Sequence, residues 1–110
     1  MITATLFRAG GEYTGFRASG HSGYADEGSD IVCAAVSVLG VTCVNAMEKL
    51  LGVIPVIREN ESGLLAFDLP EIPEGERRRG AQLLMGAMEQ GLNDVRDAYP
   101  EYLKVQTKGR

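Results

Sequence analysis

Histidine occurs once in this 110-residue chain, at position 21, and cysteine only twice, at 33 and 43. Those three side chains do not complete a four-ligand zinc site without carboxylate help. A Cys33–Cys43 disulfide also fails on geometry if both residues lie on one helix. Ten residues at 1.5 Å rise set them roughly 15 Å apart, about twice the reach of a disulfide. Both thiols are therefore expected to be free, which suits a reducing cytosol. Excess positive charge is missing too. Eleven Lys and Arg against 15 Asp and Glu give a net charge of −4, and a domain that binds nucleic acid by neutralising phosphates carries a basic stripe. No direct nucleic-acid binding is expected. The one basic run, Arg77-Arg78-Arg79, follows Glu74 and Glu76 and reads as the solvated first turn of a helix; a small patch for ribosomal RNA is the alternative. No basic-then-apolar prefix resembles a signal peptide, so a cytoplasmic location is expected. No repeat and no linker divide the chain, so residues 1–110 are read as a single domain. Its 45% apolar content is enough for one core without covalent staples.

Met1 to Arg8 is β-rich, Gly10-Gly11 signals a turn, and Tyr13 to Ser19 can pair back as a second strand. A glycine-punctuated loop runs from Gly20 to Ser29. Asp30 is a good N-cap for a long apolar helix, and Gly52 a good stop after Leu51. Ile31 to Met47 carries no charge, which raises a membrane span. Ser37, Thr42 and Asn45 interrupt the run and it is short for a bilayer, so no membrane is expected. Val53 to Arg58 and Leu64 to Leu69 read as strands around 59–63. Pro55 makes the first of them an edge strand or delays its start. A second helix is expected over Glu74 to Ala98, with Leu84, Met88, Leu92 and Val95 as its buried stripe, and a last strand over Tyr102 to Thr107. The order β-β-α-β-β-α-β predicts an α+β domain, two long helices packed on a mainly antiparallel sheet.

The chemistry concentrates in GHSGYADEGSDIVCAAVS, Gly20 to Ser37. If Asp30 caps the helix, Cys33 is its third residue, where amides lack intrahelical partners and the helix dipole is positive. Such positions favour the thiolate, which is the nucleophile. His21 can fold back over the helix start, take the thiol proton and later protonate a leaving amine. First-turn amides near Cys33 are the expected donors to a developing oxyanion. Asp30 opposes this, because a carboxylate beside a thiol disfavours the thiolate. The conflict resolves if Asp30 caps the first-turn amides, which follows from its position, or orients His21. Ser37, one turn on, faces the same site or bonds back to the Cys33 carbonyl. Cys43, mid-helix, reads as core. Gly20, Gly23 and Gly28 lower the cost of loop motion, and Tyr24, Asp26 and Glu27 are candidate substrate contacts; the loop is either a lid or a plain connector. On residues alone, a catalytic pair and a surface histidine beside a packed cysteine both stand.

The upstream GH and the DIVCAAVS block resemble the signature of the bacterial ribosomal-processing cysteine proteases, the Prp family. The resemblance covers nearly the whole chain, with Ser22 where alanine is frequent after the histidine. It implies a small, homodimeric, cofactor-free cytoplasmic enzyme that removes a short N-terminal extension from large-subunit ribosomal protein twenty-seven. It puts the histidine on His21 and the nucleophile on Cys33, with Asp30 and Ser37 as the supporting residues of the block. An expected dimer interface is the exposed side of the Ile31–Leu51 helix, since one small domain can hardly bury it all. The alternatives are a non-enzymatic ribosome-associated binding module with a packed cysteine, and a redox-sensing thiol protein.

Overall fold

A computed structural model of the chain describes residues 1–21, 23–25, 30–61 and 63–110. The loop candidates Asp26, Glu27 and Gly28 lie outside these, as does Ser22. Strands β1 (Ile2–Ala9) and β2 (Glu12–Ser19) form the opening hairpin, turning through Gly10 and Gly11 at φ 58° and 82°. Positive φ is nearly free for glycine alone. Helix α1 (Ile31–Ala46) leads to the hairpin of β3 (Val56–Glu61) and β4 (Leu64–Asp68), then helix α2 (Glu76–Ala98) and strand β5 (Leu103–Gly109). The five strands lie in the order β3-β4-β2-β1-β5. Every pairing is antiparallel except β1 with β5. The predicted α+β architecture and element order are those of the structure.

Where boundaries differ, the cause is local. The first helix does not run as uniform α-helix to Gly52. It loosens after Ala46 into a π-helical turn, Met47–Leu51, and stops at Gly52, whose φ of 66° ends a helix without Cβ strain. Its last carbonyls are capped from outside: Arg77 donates to the Leu51 and Gly52 carbonyls at 3.0 and 2.8 Å. The neighbouring Arg78 pairs with Glu12 of β2. The basic run is therefore not simply a solvated face, because two of its three arginines tie α2 to other elements. β3 begins after Pro55, as a residue without an N–H requires. It extends to Glu61 because Asn60 and Glu61 pair with Leu65 and Leu64. It is an edge strand, as β5 is on the other side of the sheet. α2 starts at Glu76, two residues later than expected, behind Gly75.

α1 and α2 pack against each other. Leu39 fills the notch at Gly91 and Leu51 the one at Gly80, an antiparallel pairing in which each leucine occupies space a Cβ would take. α1 also closes onto the sheet at Gly40, where an added Cβ would lie 2.5 Å from Leu65. The core between these layers holds Leu6, Phe16, Phe67, Met47, Met85 and Leu92, all fully buried. On α2, Ala81, Met85, Met88 and Leu92 are the buried positions, while Leu84 and Val95 are half-buried at its margin. The whole helix Ile31–Leu51, 21 residues, is long and apolar enough to cross a membrane by length and composition only, a test that the core helix of a soluble protein also passes. One side of it, Val32, Val36, Gly40, Cys43 and Met47, is buried in the domain.

Candidate active site

Asp30 stands at the head of α1 with extended backbone, φ −81° and ψ 101°. Its Oδ1 accepts hydrogen bonds from the amides of Val32 and Cys33, both at 3.0 Å, and its carbonyl accepts from the amide of Ala34, also at 3.0 Å. This is the N-cap expected of an aspartate there. It also corrects the expectation about the oxyanion. The amides of Val32 and Cys33 are already engaged by the Asp30 carboxylate and that of Ala34 by its carbonyl, and an N–H so bonded is not a spare donor.

Cys33 is half-buried and Cys43 buried, and neither is in a disulfide. They sit in different surroundings. The Cys43 thiol lies 3.7 Å from the Leu84 carbonyl and 3.8 Å from the Met85 sulfur. Burial pushes its pKa up to about 12, because the thiolate is poorly solvated in an apolar interior. It is a core residue, as its mid-helix position predicts. Cys33 instead lines a cavity of about 610 Å³ between α1 and the β3–β4 hairpin.

The same cavity is lined by His21, Asp30 and Ser37, and by the loop residues Gly20 and Gly23. All the described members of the proposed site thus line one cavity. Ser37 is exposed there, and among the hydrogen bonds of the described residues none runs from its hydroxyl to the Cys33 carbonyl, so the back-bond weighed for it is not formed. Tyr24 is 41% exposed, and its ring packs edge-on against Tyr99 and Tyr102, with centroids 5.5 and 5.3 Å away.

The far wall comes from residues that sequence reasoning passed over: Asn60, Glu61, Gly63, Leu64 and Leu65. Gly20 and Gly63 are joined by a hydrogen bond, Gly20 amide to Gly63 carbonyl, at 2.9 Å. Gly20 has φ 95°, and a Cβ on it would lie 2.7 Å from the Met1 carbonyl oxygen. The glycine before His21 is thus required twice, by its backbone angle and by the closeness of the N-terminal strand. Only the positive φ of Gly63 had a local signal, a glycine in a polar turn. Its nearness to the histidine is set by the β2–β4 pairing, in which Ser19 faces Leu64.

The sequence and the fold are similar to those of known proteins. The chain is 35% identical over 109 residues, 97% of both chains, to the ribosomal processing cysteine protease Prp of Bacillus subtilis (strain 168). Its fold superposes with a TM-score of 0.87 on an essential ribosomal processing protease Prp from S. aureus in complex with a covalently linked product peptide. That pair is 27% identical, and the match spans 98% of this chain and 100% of that one. SMU.848 from Streptococcus mutans superposes at 0.83 with 32% identity, over 100% of this chain and 96% of that one. The model of the family described as cysteine protease Prp matches residues 1–104, and the chain belongs to that family.

Proposed function

We propose that this protease uses Cys33 as nucleophile and His21 as its acid–base partner to remove the N-terminal extension of large-subunit ribosomal protein twenty-seven. The observation that carries the reading is the shared cavity: His21, Asp30, Cys33 and Ser37 line one cleft, while the other cysteine is buried behind Leu84 and Met85. His21 takes the thiol proton as Cys33 Sγ attacks the scissile carbonyl. The tetrahedral adduct collapses to a thioester, and His21 hands the proton to the departing amine. Water, deprotonated by the same imidazole, then frees the acid. The negative oxygen of the adduct has to be met by groups other than the three amides that Asp30 occupies.

The S. aureus relative holds a covalently linked product peptide in one structure and a substrate peptide in another, the latter 25% identical with a TM-score of 0.82. Both support peptide as the substrate class, and the covalent link in the first supports a covalent intermediate. β3 offers an unpaired edge beside the cleft, where an extended peptide can add as a further strand. The reading places the enzyme in the cytoplasm, where ribosomes are assembled, and as a homodimer. Ala34, Ser37 and Val41 of α1 line the cavity, which leaves Ile31, Val38 and Thr42, all exposed, as the flank for a second copy.

The direct test is to incubate the enzyme with a peptide spanning the extension and locate the cut by mass. A single cut at the end of the extension supports the assignment. An intact peptide, with a generic thiol-protease substrate cleaved, overturns the substrate and leaves the chemistry.

A further inference from the structure

His21 is exposed, so its own burial does not hold the ring in place. An exposed imidazole samples several rotamers, yet acid–base work on a thiol needs it held in reach of one proton. The structure supplies a seat from a distant part of the chain. An ideal Cβ built on Gly63 would lie 2.8 Å from His21 Cε1 and 2.9 Å from Nε2. The ring edge therefore occupies the space that any other residue's side chain would enter. The Gly20 amide bonds to the Gly63 carbonyl at 2.9 Å, which clamps the backbone just before His21 to the same residue.

Gly63 meets two separate demands. Its φ of 78° favours glycine, and its missing Cβ admits the imidazole. Gly11 shares the first demand without the second, with φ 82° and nothing within 4 Å of its would-be Cβ. We infer that Gly63 is a positioning residue for His21, its bare α-carbon forming the notch that seats the imidazole in the cavity it shares with Cys33. This rests on the reading of His21 as the acid–base group. A methyl at Gly63 overlaps the free end of an exposed ring and meets the Gly20 carbonyl oxygen at an ordinary contact distance of 3.4 Å, so it is the ring that shifts, while the backbone strain at φ 78° is the cost Gly11→Ala controls for.

The experiment compares Gly63→Ala, Gly11→Ala, His21→Ala and the double variant His21→Ala/Gly63→Ala. The readouts are cleavage of the extension peptide, alkylation of Cys33 by iodoacetamide, and the imidazole C–H resonances, which are unambiguous in a chain with one histidine. Gly63→Ala is expected to lower kcat by about 10²-fold, the scale of an ångström-sized misplacement, with KM changed by less than about threefold. It should move the His21 resonances and slow Cys33 alkylation to the His21→Ala rate. It should add nothing to His21→Ala, while Gly11→Ala stays within about twofold of the parent on every readout. If Gly63→Ala does not fold, Gly63→Asn carries the same Cβ on a residue that tolerates this backbone angle, and the same outcomes apply. A parent-like Gly63 variant beside an impaired His21→Ala overturns the positioning role alone, as does a further loss in the double variant. Parent-like turnover in His21→Ala overturns the acid–base reading, and this inference with it.

Discussion

The carboxylate of Asp30 accepts the backbone amide of Cys33 at 3.0 Å. That bond places the cysteine as the third residue of α1 and takes one amide out of play as an oxyanion donor. Asp30 is buried, so the cap is shielded from water. Replacing it with alanine removes an acceptor from two amides, and Asp30→Ala is expected to cost about 1 kcal/mol. Asp30→Asn keeps an acceptor oxygen and should keep most of the stability. If the residue acts as a cap alone, Asn also retains cleavage within a few-fold, while a carboxylate that orients His21 would be missed. Thermal unfolding and turnover of the two variants, measured together, separate these roles.

The two thiols should differ sharply in reactivity. Cys43 is 4% exposed with its pKa pushed up to about 12 by burial, and the thiol form does not alkylate. Iodoacetamide on the native protein at pH 8 is expected to add one label, at Cys33, with Cys43 modified only after denaturation. Two labels of equal rate on the folded protein would contradict the packing described. The same shift has a stability consequence. A folded pKa raised above the unfolded value of about 9 means that Cys43 favours the folded state fully below that pH, and the contribution is lost as pH rises toward 12. Cys43→Ala should therefore unfold less steeply across that alkaline window than the parent, as read by urea midpoints.

Some of this was legible in the chain and some was not, and the division follows the range of the interaction. The Asp30 cap and the buried Cys43 depend on neighbours within a turn or two, and local spacing predicts both. The delayed start of β3 follows from Pro55 in the same way. The seat for His21 at Gly63, the Arg77 cap on the far end of the first helix and the Tyr24 contact with Tyr99 and Tyr102 each join segments distant in sequence, and nothing in residue spacing signals them. The oxyanion expectation failed for another reason. Local reasoning assigned the same first-turn amides both to the cap and to the substrate oxygen, and an amide serves one acceptor well. The cap, already built into the fold, holds them.

Asp68 makes a second pH test. Burial would raise its pKa, but hydrogen bonds from Arg58 and Arg110 outweigh that and hold the carboxyl below its ordinary value. A depressed folded pKa stabilises above the unfolded value near 4, and the contribution is lost as pH falls through the folded one. Arg58 is 61% exposed and Arg110 44%, so solvent screens both pairs and their sum is expected to be about 1 kcal/mol or less. Asp68→Asn should lower the urea midpoint at pH 7 and converge with the parent near pH 3. A difference that persists unchanged at pH 3 would show that packing, and not charge, accounts for it.

The central claim is that Cys33 carries the covalent step, and the most direct measurement is turnover of the extension peptide by the parent, Cys33→Ala and His21→Ala at equal concentration, with the fold of each checked by thermal unfolding. The account predicts no detectable cut from Cys33→Ala and a loss of about 10²- to 10⁴-fold from His21→Ala, both variants folded. A folded Cys33→Ala that cuts the peptide at the parent's rate would contradict it.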